Sequence, residues 1–252
     1  MTTILAPYHQ GERLADAEIP VHADVTVTAE FPAGADLWQQ AAVTCAAIAE
    51  PVAAAVRGGR VPVVFSGDCL LAGGTVAGAQ RAGRDPGVVW FDAHGDVHTL
   101  ETSTSGYLGG MSLRVLTGAH PERYADAFGL RPVAPERAVL ADARDLDPAE
   151  AEYLAGSATR RIPVAEVDTD TVPAGDLVIH VDADVIDAGE LPGLRYPVPG
   201  GPSTEAVLDA CARLVATGRV VAIHVACPWL PTGDRAEREI RDRLVSRFAA
   251  GL

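Results

Sequence analysis

Val88-Val89-Trp90-Phe91-Asp92-Ala93-His94-Gly95-Asp96 is the stretch on which the reading of this chain turns. Its first four residues are continuously apolar, as in a parallel strand buried on both faces, and a polar run begins where the strand stops. Alternate residues of an extended chain point the same way, so Asp92, His94 and Asp96 can converge on one point. Val178-Ile179-His180-Val181-Asp182-Ala183-Asp184 repeats the design and ends in Asp-x-Asp. Carboxylates gathered at the ends of buried strands repel one another and lose hydration unless a cation compensates them. Oxygen ligands with a single imidazole suit Mn2+ or a similar divalent ion better than a thiolate-type zinc site. A lone Asp-x-Asp after a strand is as readily a helix cap or a turn; two such runs together favour a metal.

Outward from these strands, β-branched runs alternate with Ala/Leu-rich helical stretches. Further strand candidates are Thr3–Ala6, Pro62–Phe65, Arg137–Leu140 and Val220–Val225. Helix candidates are Leu37–Val56, Leu70–Arg81, Pro148–Leu154, Ser203–Thr217 and Ala236–Ala250. The alternation predicts a mostly parallel sheet with helices on both faces, a three-layer α/β/α sandwich, as one domain over residues 1–252. Glu101–Tyr107 and Ala188–Ser203 read as the longest loops, and loops at the carboxyl ends of parallel strands are where such sheets build their sites.

A chain of 252 residues with a formal net charge of −14 is a poor fit to a nucleic-acid partner, which calls for a basic face. No run approaches the roughly 20 apolar residues that span a bilayer, so no membrane partner is expected. The first twenty residues, with Glu12 and Glu18 and no basic leader, do not read as a signal peptide. Four cysteines, Cys45, Cys69, Cys211 and Cys227, lie far apart and suggest neither a disulfide framework nor a zinc ribbon. A reducing, cytoplasmic setting and a small-molecule substrate are the expectation.

The motifs resemble those of the arginase/agmatinase (ureohydrolase) family. Besides the two aspartate runs, the matching segments are Ser66-Gly67-Asp68-Cys69, Ser105-Gly106-Tyr107-Leu108-Gly109-Gly110, Arg144-Asp145-Leu146-Asp147-Pro148 and Pro197-Val198-Pro199-Gly200-Gly201. The resemblance runs from about Pro62 to Pro231. It implies an arginase/deacetylase-like sandwich with one or two Mn2+ ions, other divalent metals being compatible. Asp92 and Asp182 would bridge two metals, Asp96 would complete the first, and His94 with Asp184 the second. A water between them would be the nucleophile. Asp147 falls where the family accepts a substrate α-ammonium group, Ser103 and Ser105 fall near its α-carboxylate contacts, and His98 stands where an Asn is usual. Such a resemblance also leaves room for a homo-oligomer.

Three departures accompany it. Cys69 stands where the first metal usually takes a histidine, Gly109 where a proton-shuttling histidine is usual, and Cys227 where a glutamate pairs with the guanidinium. A soft thiolate beside a hard ion weakens the first metal or shifts its preference toward softer metals; alternatively Cys69 is only a small buried side chain. Cys227 is a pocket wall or a core residue. His98, His224 and His9 are the candidate proton donors, each equally readable as a structural or surface histidine. The Cys69 and Gly109 replacements resemble the Nω-hydroxy-L-arginine amidinohydrolase branch. Hydroxylation lowers the basicity of a guanidine, so the reacting group demands less of a carboxylate partner and a shuttle. The sequence therefore points to hydrolysis of a linear C–N bond in a hydroxyguanidine or another weakly basic guanidino or amide substrate, rather than L-arginine. Two competing readings stay open: a deacetylase-like amide hydrolase, and a catalytically degenerate member that binds a metal or small ligand.

Overall fold

The two apolar runs lie side by side in the middle of an eight-stranded sheet. In the computed structural model, which describes residues 1–15 and 18–252, the strands are β1 (Thr2–Ala6), β2 (Tyr8–His9), β3 (Glu12–Arg13), β4 (Val25–Thr26), β5 (Pro62–Ser66), β6 (Gly87–Asp92), β7 (Ala138–Asp142), β8 (Arg160–Ile162), β9 (Leu177–Asp182) and β10 (Val220–Ala226). The helices are α1 (Leu37–Arg57), α2 (Ala72–Arg81), α3 (Ser112–Leu116), α4 (Ala125–Phe128), α5 (Pro148–Gly156), α6 (Thr204–Ala216) and α7 (Arg235–Ala250). The sheet runs β4-β1-β5-β10-β9-β6-β7-β8, and every pairing in it is parallel. β2 and β3 make a separate hairpin.

Side-chain alternation along the strands builds two cores. Ile4, Val64, Val88, Trp90, Leu140 and Val178 pack with α1, α2, α3 and α4 on one face. Phe65, Val89, Phe91, Ile179, Val181 and Ile223 pack with α6 and α7 on the other. These are the three layers the alternating pattern anticipates. α1 starts at a capping box of Asp36 and Gln39. It meets α2 closely: a Cβ at Gly74 would lie 2.7 Å from the Cys45 carbonyl oxygen, so only glycine permits this approach.

The expected helix over Leu70–Arg81 is two elements. Asp68 Oδ1 accepts from Leu70 N at 2.8 Å and starts a 3-10 turn over Cys69–Leu71, after which α2 begins at Ala72. Likewise Arg137 ends a 3-10 turn opened by Pro135, and the strand expected to begin there begins at Ala138. No helix among the described residues is long and apolar enough to cross a membrane.

Candidate metal centre

Because the sheet is parallel, β5, β6, β9 and β10 all deliver their carboxyl ends to one edge. The register aligns the side chains in rows across it. Trp90, His180, His224 and Val64 are cross-strand neighbours, and two residues further on come Asp92, Asp182, Ala226 and Ser66. Asp92 and Asp182 of the second row form the floor of a cleft of about 230 Å3. That is below the roughly 300–1,000 Å3 of pockets for drug-sized ligands, which suits one small molecule rather than a polymer.

Cys69, Asp92, His94, Asp96, Asp182 and Asp184 all line this cleft. Asp92 Oδ1 accepts from His94 N at 2.8 Å and Oδ2 from Trp90 Nε1 at 3.1 Å. Asp182 Oδ1 accepts from Asp184 N at 2.8 Å, while its Oδ2 accepts from Cys69 Sγ at 2.6 Å. His94 Nδ1 lies 3.1 Å from Asp184 Oδ2 and 3.4 Å from Asp92 Oδ1. Asp96 sits in the left-handed region at φ 54°, and its buried Oδ2 has no hydrogen-bond partner among the described residues. Arg144 clamps the neighbouring loop by donating to the carbonyls of Asp184, Val185 and Val198.

The electrostatics report the same crowding. Burial, reinforced by the Asp92 and Asp184 carboxylates, holds Asp182 well above the ordinary carboxylate range. Burial and then Asp92 do the same to Asp96, and burial with Asp92 raises Asp184 to about 6. Burial opposes the charged form of His94, but hydrogen bonds to Asp184 and Asp92 push it up to about 12. Burial, with Asp182 and Asp96, raises the Cys69 thiol. A divalent cation would compensate the charge of such a set in place of protons. An unpartnered buried carboxylate oxygen and two three-residue groups with ligand atoms within 4.8 Å of one another, Asp92–His94–Asp184 and Cys69–Asp92–His180, fit a divalent-metal site.

At the mouth, His98 Nε2 lies 3.0 Å from Asp147 Oδ2, and its Nδ1 lies 3.1 Å from Thr102 Oγ1. Ser103 and Ser105 line the same cleft, and their hydroxyls accept from Gly106 N and Tyr107 N, which shapes the loop. Three expected residues do not reach the cleft. His224 is fully buried, between Ser66 and His180, because its position on β10 turns it into the layer beneath. Burial lowers it to about 3, so it is a neutral imidazole. Cys227 is buried in the opposite core, with Val225 and Trp229, and Pro228 faces the cleft instead. His9 points elsewhere: its Nδ1 bonds the Gly67 carbonyl at 2.8 Å and lies 3.6 Å from Asp68 Oδ2.

Sequence reasoning missed Tyr107 and Tyr196, which line the cleft with ring centroids 5.1 Å apart. A Cβ at Gly109 would collide with the Tyr107 ring, so the tyrosine fills the space a side chain there would take. Tyr107 stood inside a motif already singled out; its size, next to a glycine pair, was the available signal. Asp145 and Glu150 were also missed as lining residues.

Known proteins resemble the chain in sequence and in fold. The model of the Arginase family matches residues 3–238. An arginase from Bacillus subtilis is 36% identical over 167 residues, 61% of this chain, which spans just 56% of that relative's length. The N(omega)-hydroxy-L-arginine amidinohydrolase of Streptomyces lavendulae is 32% identical over 206 residues, covering 80% of this chain and 73% of that one. Among solved structures, an arginase from Bacillus subtilis superposes with a TM-score of 0.82 at 24% identity, over 100% of this chain and 98% of that one, a likeness of fold.

Proposed function

The chain belongs to the arginase family, and from that premise we propose that it is a metal-dependent hydrolase of a linear C–N bond whose substrate is a hydroxyguanidine or another weakly basic guanidino or amide compound. The observation that carries the reading is the convergence of Cys69, Asp92, His94, Asp96, Asp182 and Asp184 on one small cleft at the carboxyl edge of the sheet. In this reading Asp92 and Asp182 would hold both of two ions, Asp96 and Cys69 would hold one of them, and His94 with Asp184 the other. Mn2+ is the proposed ion. Divalent ions there would supply Lewis acidity, lowering the pKa of a water and stabilising charge at the attacked carbon.

The chain's own groups bind and orient the substrate. Asp147, held by His98, accepts an ammonium group at the mouth, and the Ser103 and Ser105 hydroxyls donate to a carboxylate. Among the described residues His98 is the one imidazole besides His94 lining the cleft, which supports it as the proton donor. Burial, with Asp68 and Cys69 next, drives the Tyr107 phenol far above its ordinary range, so Tyr107 serves as a neutral hydrogen-bond donor and wall.

Substrate charge follows from the inner rim. The thiol of Cys227 is turned into the core, Gly109 has no side chain, and neither supplies a negative partner or a shuttle. A guanidinium fixed beside two divalent ions without such a partner costs several kcal/mol. Nω-hydroxy-L-arginine is therefore the leading candidate over L-arginine. The reading also carries a single domain over residues 1–252 and a cytoplasmic setting, both expected from the sequence pattern, and a homo-oligomer, expected from the family resemblance. The test is kcat/KM for both compounds with manganese-loaded protein, following hydroxyurea and urea release. Turnover of Nω-hydroxy-L-arginine at least tenfold faster is expected. L-arginine as good a substrate would refute the charge argument, and acetate release from acylated amines would favour a deacetylase instead.

A further inference from the structure

One row beneath the cleft floor lies a histidine that the functional reading does not use. His180 is fully buried on β9, two residues before Asp182, so strand alternation aims both side chains the same way. Its ring packs on Trp90 with centroids 3.6 Å apart, which fixes its plane. Its Nδ1 lies 2.8 Å from His224 Nδ1. Its Nε2 is buried and has no hydrogen-bond partner among the described residues.

The hydrogen-bond chain behind it fixes where the protons sit. Ser66 Oγ donates to the Asp68 carbonyl at 3.0 Å and accepts from Asp68 N at 3.3 Å. At 3.0 Å from that oxygen, His224 Nε2 must then be the donor. A neutral imidazole carries one N–H, so His224 Nδ1 is an acceptor and His180 Nδ1 donates to it. His180 Nε2 is thereby left with a bare lone pair. The opposite polarity would bury an N–H at that atom with no acceptor in bonding geometry. An imidazole whose far nitrogen donates to a partner, leaving the near nitrogen bare, is the usual arrangement of a metal-bound histidine.

The imidazole has company. Ligand atoms of Cys69, Asp92 and His180 lie within 4.8 Å of one another. In a tetrahedral zinc site, ligands at about 2.0–2.3 Å stand about 3.3–3.8 Å apart, so these atoms draw in by at most about 1.5 Å to close the shell. Asp182 adds a fourth donor, since its Oδ2 already accepts from Cys69 Sγ at 2.6 Å. We propose that His180 Nε2 is a ligand of the deeper metal position, and that this position, where it joins Cys69, Asp92, Asp96 and Asp182, takes a borderline ion such as Zn2+ or Co2+ in preference to Mn2+. Sulfur and imidazole donors favour such ions, whereas the outer position of Asp92, His94 and Asp184 keeps the harder character. The centre then holds two chemically unlike positions. This rests on the reading of the cleft as a divalent-metal site.

Isothermal titration of the metal-free protein with Zn2+, Co2+ and Mn2+ tests it, together with cobalt and zinc X-ray absorption. The unsubstituted protein should show a sulfur scatterer, two imidazoles when both positions are filled, and a thiolate-to-cobalt charge-transfer band that Cys69→Ser removes. His180→Asn keeps an amide N–H for His224 and loses Nε2. It should weaken Zn2+ and Co2+ binding at the deeper position by about tenfold or more, while His94→Asn affects only the outer one. Binding by His180→Asn equal to that of the unsubstituted protein overturns the assignment of His180 and leaves the hydrolase reading standing. Absence of any divalent binding to the unsubstituted protein overturns both. Should His180→Asn fail to fold, the absorption spectra of the unsubstituted protein decide, and a shell without sulfur or a second imidazole refutes the proposal.

Discussion

Asp92 and Asp182 stand opposite each other at the ends of adjacent strands, each held through one oxygen by a backbone N–H two residues on. That leaves the second oxygens, which now accept from Trp90 and Cys69, as the groups a shared ion would compete for. Asp92→Ala or Asp182→Ala should each remove metal binding and activity together. Elemental analysis that finds full metal content in both variants would sink the bridging roles. The carboxylates were readable from alternation alone, because charged side chains at the end of an apolar strand demand an explanation. His180 obeys the same alternation, yet an imidazole inside Val178-Ile179-His180-Val181 reads as strand filler. Its bare Nε2 emerges only from the bonds of His224 and Ser66, residues more than forty positions away. Cys227 and His224 illustrate the converse, since motif position alone suggested a pocket role and the backbone turned both away.

Elements of five residues or more in the central sheet, and all the long helices, were legible from their hydrophobic period; β4, β8 and α4 were not, being two, three and four residues long. Short elements bury too little apolar surface to impose a pattern and exist because neighbours pair or pack with them. The α1–α2 contact makes a prediction at this scale. A methyl group at Gly74 would meet the Cys45 carbonyl at 2.7 Å and Cys45 Cα at 2.9 Å, both backbone atoms that cannot swing aside. Gly74→Ala should destabilise the fold by about 1–3 kcal/mol, the usual cost of overpacking. Chemical denaturation measures it, and a midpoint equal to that of the unsubstituted protein would mean the helices separate freely.

For the whole molecule, the crowded carboxylates tie stability to pH and metal. Folding raises Asp184 to about 6, against about 3.9 in an unfolded chain. Between those values the folded protein keeps a proton that the unfolded one has lost, so stability falls as pH rises through the window. His94 acts in the same direction: the fold retains its proton up to about 12, while the unfolded chain releases it near about 6.5. In chelator, the stability of the unsubstituted protein relative to Asp184→Asn should therefore drop between about pH 4 and about pH 6. Added divalent ion displaces these protons, so its stabilising increment should grow with pH. Thermal melts of both proteins, with and without metal, read the effect; a relative stability that rises through that window in chelator would contradict it.

The amino-acid sequence by itself determined the layered α/β architecture, the two strands that carry the aspartates and the family to which the chain belongs, because apolar period and ligand spacing are local properties. Tertiary structure decided the rest. β9 and β10 insert between β5 and β6, so segments far apart in the chain share one sheet edge and meet at one cleft. The same packing gave Tyr107 the space beside Gly109, sent the Cys227 thiol into the core and set His180 beneath the aspartates. Which side chains meet there depends on strand order, register and the direction of hydrogen bonds, and none of these is written in the spacing of residues along the chain.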